Sequence, residues 1–201
     1  MEEKKMSSRE KILAAVAQNQ PAKLQLPDVN LFETGTEGSL ENFIKVLSAI
    51  GGKAYSINDL SEIDSIITDD IGIRGRVVNL VEGLNLTNAE EIITDTVVHH
   101  LHNVEMAVVK ASLGVAENGA VWVTEENMNQ RVLPFICQHL AVVVHQKDLV
   151  PTMHDAYKQI DQMPGYNYGS FIAGPSKTAD IEQSLVIGAH GPRSMIVFVL
   201  K

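Results

Sequence analysis

Apolar positions along the chain follow two rhythms, one at helical spacing and one in short β-branched runs, and the two alternate from about residue 39 to the end. Leu40, Phe43, Ile44, Leu47 and Ile50 trace one helical face, and Gly51-Gly52 behind them supplies the left-handed stop at which helices commonly end. A short strand over Lys53–Ile57 follows. Asn58 is placed to cap a second helix carrying Leu60, Ile63, Ile66 and Ile67, and residues 76–81 then read as a buried strand. Further β-branched runs occupy residues 106–111, 120–124, 141–145, 170–173 and 194–200, with an amphipathic helix over 152–162, giving about seven strands alternating with helices. That alternation predicts the α/β class: a mainly parallel sheet with helices on both faces. Residues 106–111 and 120–124 lie too close for a crossover helix, so a tight glycine-containing link and an antiparallel pair are expected there, making the sheet mixed.

Ahead of this region Ile12, Leu13 and Val16 recur at helical spacing, and a proline- and glycine-bearing stretch from about Gln20 to Gly38 follows. This divides the chain into a helix-and-loop arm over residues 1–38, suited to docking on another subunit, and an α/β domain over residues 39–201. The start has no continuous apolar segment and no run reaches the length of a bilayer span, so a cytoplasmic protein without a membrane span is expected. The formal net charge of −9, with Lys and Arg scattered rather than clustered, argues against a nucleic-acid partner. Cys137 is the single cysteine. It excludes an intrachain disulfide and a self-contained iron–sulfur cluster, which needs about four thiolates, so any such cofactor must sit on another chain. Its apolar setting, Pro134-Phe135-Ile136-Cys137, favours an inert buried thiol over a nucleophile.

In open α/β sheets, ligands bind where glycine-rich turns at strand ends let backbone N–H groups approach an anion. Two segments fit. One runs from Gly114 through Glu117, Asn118 and Gly119 to Ala120; the other runs Gly174-Pro175-Ser176-Lys177-Thr178-Ala179-Asp180. In the second, Gly174 and Pro175 force a turn, Ser176 or Thr178 is placed to cap a short helix holding residues 181–185, and Lys177 adds a cation, which together suggest an anion cradle. A capped turn with an exposed lysine accounts for the same spacing. Directly afterwards, Gly188-Ala189-His190-Gly191-Pro192-Arg193 sets an acid–base imidazole and an anion-clamping guanidinium in one tight turn. His99, His100 and His102 lack acidic or thiol ligands at zinc spacing and read as solvated, so no metal site is expected. Arg131 is placed in a loop from which it could reach an anion, and Trp122 alternates as a packed strand residue.

The run 114–124, the run GPSKTADIEQSLVIGAHGPR over residues 174–193 and the N-terminal Arg9-Glu10-Lys11-Ile12-Leu13 together resemble the LUD domain, specifically the lactate utilization protein C family. Asn118 stands where the family more often has Ser or Thr, and Lys177 where Arg is common. The resemblance implies a three-layer α/β/α sandwich of the ribose-5-phosphate isomerase, glucosamine-6-phosphate deaminase and CoA-transferase group. It also implies a role in bacterial lactate oxidation beside partner proteins that carry iron–sulfur clusters, with no cofactor on this chain. Glu117-Asn118-Gly119 further looks like the glutamate motif of the related CoA transferases, in which the carboxylate is the nucleophile. Two functions stay open on this reading. One is a lactate-utilisation subunit that binds a small anion or organises its partners; the other is a free-standing CoA-transferase-like or sugar-phosphate enzyme. The candidate catalytic residues are Glu117 and His190. The candidate ligand-binding residues are Asn118, Gly119, Gly174, Ser176, Lys177, Thr178, Asp180, Gly191 and Arg193.

Overall fold

The computed structural model describes residues 6–25, 27–28, 39–70, 72–87, 89–90, 97–179 and 185–201, and the chain divides into two units, residues 1–34 and 35–201. The first contains helix α1 (Ser8–Gln18), opened by a reciprocal capping box in which Ser7 N–H donates to the Glu10 carboxylate at 2.7 Å and Glu10 N–H donates to Ser7 Oγ at 3.3 Å. No residue of α1 is buried, and its apolar stripe is 63% exposed at Ile12 and 54% at Val16.

The second unit contains helices α2 (Leu40–Ala49), α3 (Glu62–Asp70), α4 (Glu125–Met128), α5 (Leu133–Ile136) and α6 (Met153–Ile160). Its strands are β1 (Lys53–Ile57), β2 (Arg76–Asn79), β3 (Ala89–Glu90), β4 (Val104–Lys110), β5 (Leu113–Val115), β6 (Ala120–Thr124), β7 (His139–His145), β8 (Leu149–Val150), β9 (Gly169–Ile172), β10 (Lys177–Ala179), β11 (Leu185–Ile187) and β12 (Ser194–Leu200). Six of them form one sheet in the order β1-β12-β7-β4-β2-β3, every neighbouring pair parallel. A sheet of that kind is stable only with both faces covered. Its residues accordingly alternate between two cores: Val109, Val142 and Val197 pack with Phe43 and Leu47 of α2, while Val108, Val143 and Phe198 pack with Ile63 and Ile67 of α3.

The α/β class and the parallel main sheet are as the pattern predicts, but the expected mixing within one sheet is a division between sheets. Strand β5 is antiparallel to β6 and both belong to a separate sheet ordered β8-β5-β6-β9. Gly114 and Val121 are register partners facing the main core, whereas Leu113 and Trp122 face a third core with Ala156 and Ile160 of α6. The layers beyond α2 are therefore a small sheet and then α6.

Local chemistry sets the helix ends. Ser39 Oγ accepts from Asn42 N–H at 3.1 Å to start α2, and Gly51, at φ 89°, ends it, with Gly52 N–H returning to the Leu47 carbonyl at 2.9 Å. Helix α3 begins later than a cap at Asn58 would place it, because the Glu62 carboxylate gathers the N–H groups of Asn58 and Asp59 at 2.7 and 3.0 Å. Among the described residues no helix is long and apolar enough to cross a membrane.

Candidate functional site

The two halves of the run 174–193 meet in space. Ser176 N–H donates to the Pro192 carbonyl at 2.9 Å, Gly188 N–H donates to the Ser176 carbonyl at 3.0 Å, and a Cβ on Gly191 would meet Ser176 Cβ at 3.0 Å. Between them, Lys177–Ala179 pairs antiparallel with Leu185–Ile187, Thr178 opposite Val186. A hairpin thus stands where a helix capped by Ser176 or Thr178 was expected to begin; Asp180 and residues 181–184 lie outside the described residues. Backbone pairing holds Thr178 in a ladder opposite Val186. Lys177 Nζ donates to the carbonyl of Ile50, at the end of α2, so its charge is applied to the negative pole of a helix. Gly174, at φ 72°, is the position where that helix end and the turn come closest, since a Cβ there would lie 3.1 Å from the Ile50 carbonyl oxygen. His190 and Arg193 are exposed. Ser194, next after Arg193, opens β12 beside His139, which opens β7, so this turn lies at the amino edge of the main sheet.

The turn at Glu117 is held by different elements. Glu117 Oε2 accepts the N–H of Met153, the first residue of α6, at 2.9 Å, and Glu117 N–H donates to the Pro151 carbonyl at 3.0 Å. Asn118 Oδ1 accepts from Ala120 N–H at 3.0 Å, closing the turn locally. Asn42 Nδ2 of α2 donates to the Ala116 carbonyl at 3.0 Å, and Gly119 presses on Leu47 one turn further along the same helix. Helix α2 thus braces both glycine turns, at Leu47 and at Ile50, while their side chains engage different partners.

The carboxyl edge of the main sheet, by contrast, opens into a cavity of about 420 Å³. Lys110 ends β4, His145 ends β7 and Leu200 ends β12; the Leu80–Gly83 loop after β2, Leu60 before α3, and Glu126 and Asn127 of α4 complete the wall. None of the sequence-derived site residues lines it. The side chains of Lys110, His145, Glu82 and Glu126 have no hydrogen bond or ion pair among the described residues. The segment carrying Glu126 and Asn127 is braced from both ends. Arg131 grips Glu125 through two bonds, at 2.6 and 2.9 Å, and its guanidinium lies 5.1 Å from the centre of the Tyr168 ring. The hydrogen bond from Arg131 holds the Glu125 carboxyl below its ordinary range. Inside that brace Asn129 stands at φ 52°, ψ −42°, with Gln130 N–H donating to the Met128 carbonyl, a γ-turn of the uncommon positive-φ form. Asn127 Nδ2 donates to Ser112 Oγ at 3.1 Å. Arg131, an anion-binding candidate by sequence, is committed to Glu125.

Burial perturbs Cys137 and His139. Burial pushes the Cys137 thiol up to about 12, and its Sγ lies 3.8 Å from the Pro134 carbonyl oxygen. Burial pushes His139 down from its ordinary value, with nearby Glu105 opposing that and Arg193 adding to it; His139 Nδ1 lies 2.7 Å from Ser194 Oγ. His99 and His100 are exposed on a 3₁₀ turn, Val98–Leu101, with His102 just beyond it.

The LUD domain family matches residues 40–200 of the chain. Curated relatives include a lactate utilization protein C from Oceanobacillus iheyensis, 32% identical over 48% of this chain and 43% of that protein, and one from Shouchella clausii, 32% identical over 44% and 40%. A third, from Geobacillus thermodenitrificans, is 30% identical over 47% of this chain and 42% of that protein. The matches thus span about two fifths of those relatives' own length. The crystal structure of a DUF162 family protein from Deinococcus radiodurans superposes with a TM-score of 0.56, at 16% identity, over 81% of this chain and 96% of that one; the two share the fold.

Proposed function

The chain belongs to the LUD domain family, and on that premise we propose that it is a component of a bacterial lactate-utilisation system that binds a small ligand at the carboxyl edge of its parallel sheet and works beside partners carrying iron–sulfur clusters. The observation that carries the lactate assignment is the set of relatives named lactate utilization protein C. The ligand assignment is supported by the cavity at the carboxyl edge. It collects Lys110, His145 and Glu126 from three elements and leaves their polar ends without protein partners. Open parallel sheets bind ligands at that edge, because the loops leaving the strands diverge there.

The need for partners follows from the electrons. Lactate oxidation removes two electrons, and the chain's one thiol is buried and held protonated to about pH 12, so it is unsuited to ligating iron. The proposal therefore places the iron–sulfur group that receives them on another chain. The expected cytoplasmic location belongs to the same proposal. Deleting the gene in a host with no other lactate oxidase should abolish growth on L-lactate as sole carbon source, and a plasmid copy should restore it. Unchanged growth of the deletion strain would overturn the proposal.

A further inference from the structure

We infer that strand β11 is the edge at which two copies of this chain pair, antiparallel about a two-fold axis at Val186.

Among the described residues the hairpin β10–β11 is a sheet of two strands. Two strands alone are marginal in water; a covered face or a third strand is needed to hold them. Neither is supplied among the described residues. Leu185, Val186 and Ile187 alternate between the two faces and are 61%, 44% and 52% exposed. Three aliphatic residues in succession on an open edge, with no charge or proline among them, form the kind of strand that pairs with another chain.

The alternation of bonds along the ladder shows which backbone groups are on offer. Gly188 N–H donates to the Ser176 carbonyl at 3.0 Å, so Val186, two residues back, also bonds inward to its register partner Thr178. Leu185 and Ile187 therefore turn their N–H and C=O groups to the open edge. A second β11 running antiparallel, Val186 against Val186, sets Leu185 of each copy against Ile187 of the other. Each of these two pairs then exchanges both of its outward bonds, and the four aliphatic side chains become cross-strand neighbours on one face.

Charge selects a second copy and fixes the direction. The strand itself is uncharged; in sequence Asp180 and Glu182 precede it, and His190 and Arg193 follow. Antiparallel approach brings the acidic flank of each copy toward the basic flank of the other, whereas parallel approach opposes like charges. A strand that is apolar at its centre and opposite in charge at its two ends is complementary to itself, as a two-fold contact requires. Contact size sets the strength. Three aliphatic side chains, each about half exposed, bury roughly 300 Å² per copy, against about 800 Å² per partner in a standard interface. The pair is accordingly weak, dissociating with a constant on the order of 100 μM.

The test is sedimentation equilibrium of the purified full chain from about 10 to about 1,000 μM, with amide exchange followed by NMR over the same series. The mass should rise from the 22.0 kDa of one copy toward twice that and no further. The amides of Leu185 and Ile187, and not that of Val186, should gain protection as it rises. Val186→Lys opposes two ammonium groups across the axis and should weaken the pair roughly fivefold or more. Leu185→Lys and Ile187→Glu should each weaken it, and the double variant should recover, because the register sets the lysine of one copy against the glutamate of the other. At low concentration all four variants should melt as the parent, since the substituted side chains are exposed; should Val186→Lys melt lower, the two singles and their double carry the test. A mass fixed at 22.0 kDa across the series overturns the inference, and so does growth past the dimer. Association without protection of Leu185 and Ile187, a Val186→Lys chain that pairs as the parent does, or a double variant weaker than both singles overturns it equally.

Discussion

Glu117 is the residue at which two chemical uses of a carboxylate compete. As a nucleophile it would need a free oxygen facing substrate. In the folded chain Oε2 instead takes the first N–H of α6, a donor that has no partner inside the helix, and a carboxylate at that end also meets the positive pole of the helix. The consequence is measurable as stability. Glu117→Ala should destabilise the protein by about 1 kcal/mol through loss of this cap, whereas Glu117→Gln, which keeps an acceptor oxygen, should retain most of it in a denaturant titration. A Glu117→Ala variant as stable as the parent would show that the contact contributes nothing. Lys177 is the parallel case in the other turn: a cation suited to an anion by sequence is drawn to the Ile50 carbonyl. In both, a backbone group left over at a nearby helix end competes with a ligand for the charge, and sequence spacing does not reveal which helix end will be near.

At the scale of elements, α2 is the part on which the site-bearing turns depend. It buries Phe43 and Leu47 completely and touches Gly119 and Gly174 in successive turns. A Cβ at position 119 would sit 3.0 Å from the backbone N and Cα of Leu47, at a φ of 69° that side chains adopt reluctantly. Gly119→Ala should therefore cost about 1–3 kcal/mol and lower the denaturant midpoint without changing the slope. This helix, with β4, β7 and β12, was legible from the sequence because each is an apolar run or a stripe at helical period, and β1 because it follows the stop at Gly51-Gly52. The small sheet was legible only in its longer strands, β6 and β9. Strands of three residues at Leu113–Val115 and two at Leu149–Val150 are too short to show a period, and their partners lie far along the chain. The same reasoning covers the carboxyl-edge cavity. Lys110, Glu126 and His145 each follow a β-branched run, which is a signal, but only strand order and direction place them at one edge. The rule that ligands gather at strand ends held no information about which turns shared an edge until the parallel sheet was known.

For the whole molecule, the buried Cys137 and the half-buried His139 tie stability to pH from opposite sides. Cys137 has its folded pKa raised to about 12 against an ordinary value of 9.0, so the unfolded chain releases its proton first. Its contribution is complete below pH 9 and is lost as pH rises from 9 toward 12, at about 1.4 kcal/mol per pH unit within that window. His139 has the opposite sign. Its pKa is lowered below 6.5, so the unfolded chain takes up the proton first, and the contribution present above pH 6.5 is lost as pH falls below it. Unfolding free energy measured by urea titration should thus be flat between about pH 6.5 and pH 9 and decline on both sides. The two arms separate by substitution. Cys137→Ala should lower stability at neutral pH, because it leaves a small void in the core, yet flatten the alkaline arm; His139→Gln, which keeps a hydrogen-bonding partner for Ser194, should reduce the decline just below pH 6.5 and leave the loss at lower pH that comes from carboxyls such as Glu125. An alkaline arm of unchanged slope in Cys137→Ala would mean that other groups set that limit and that the thiol is more accessible than its burial implies.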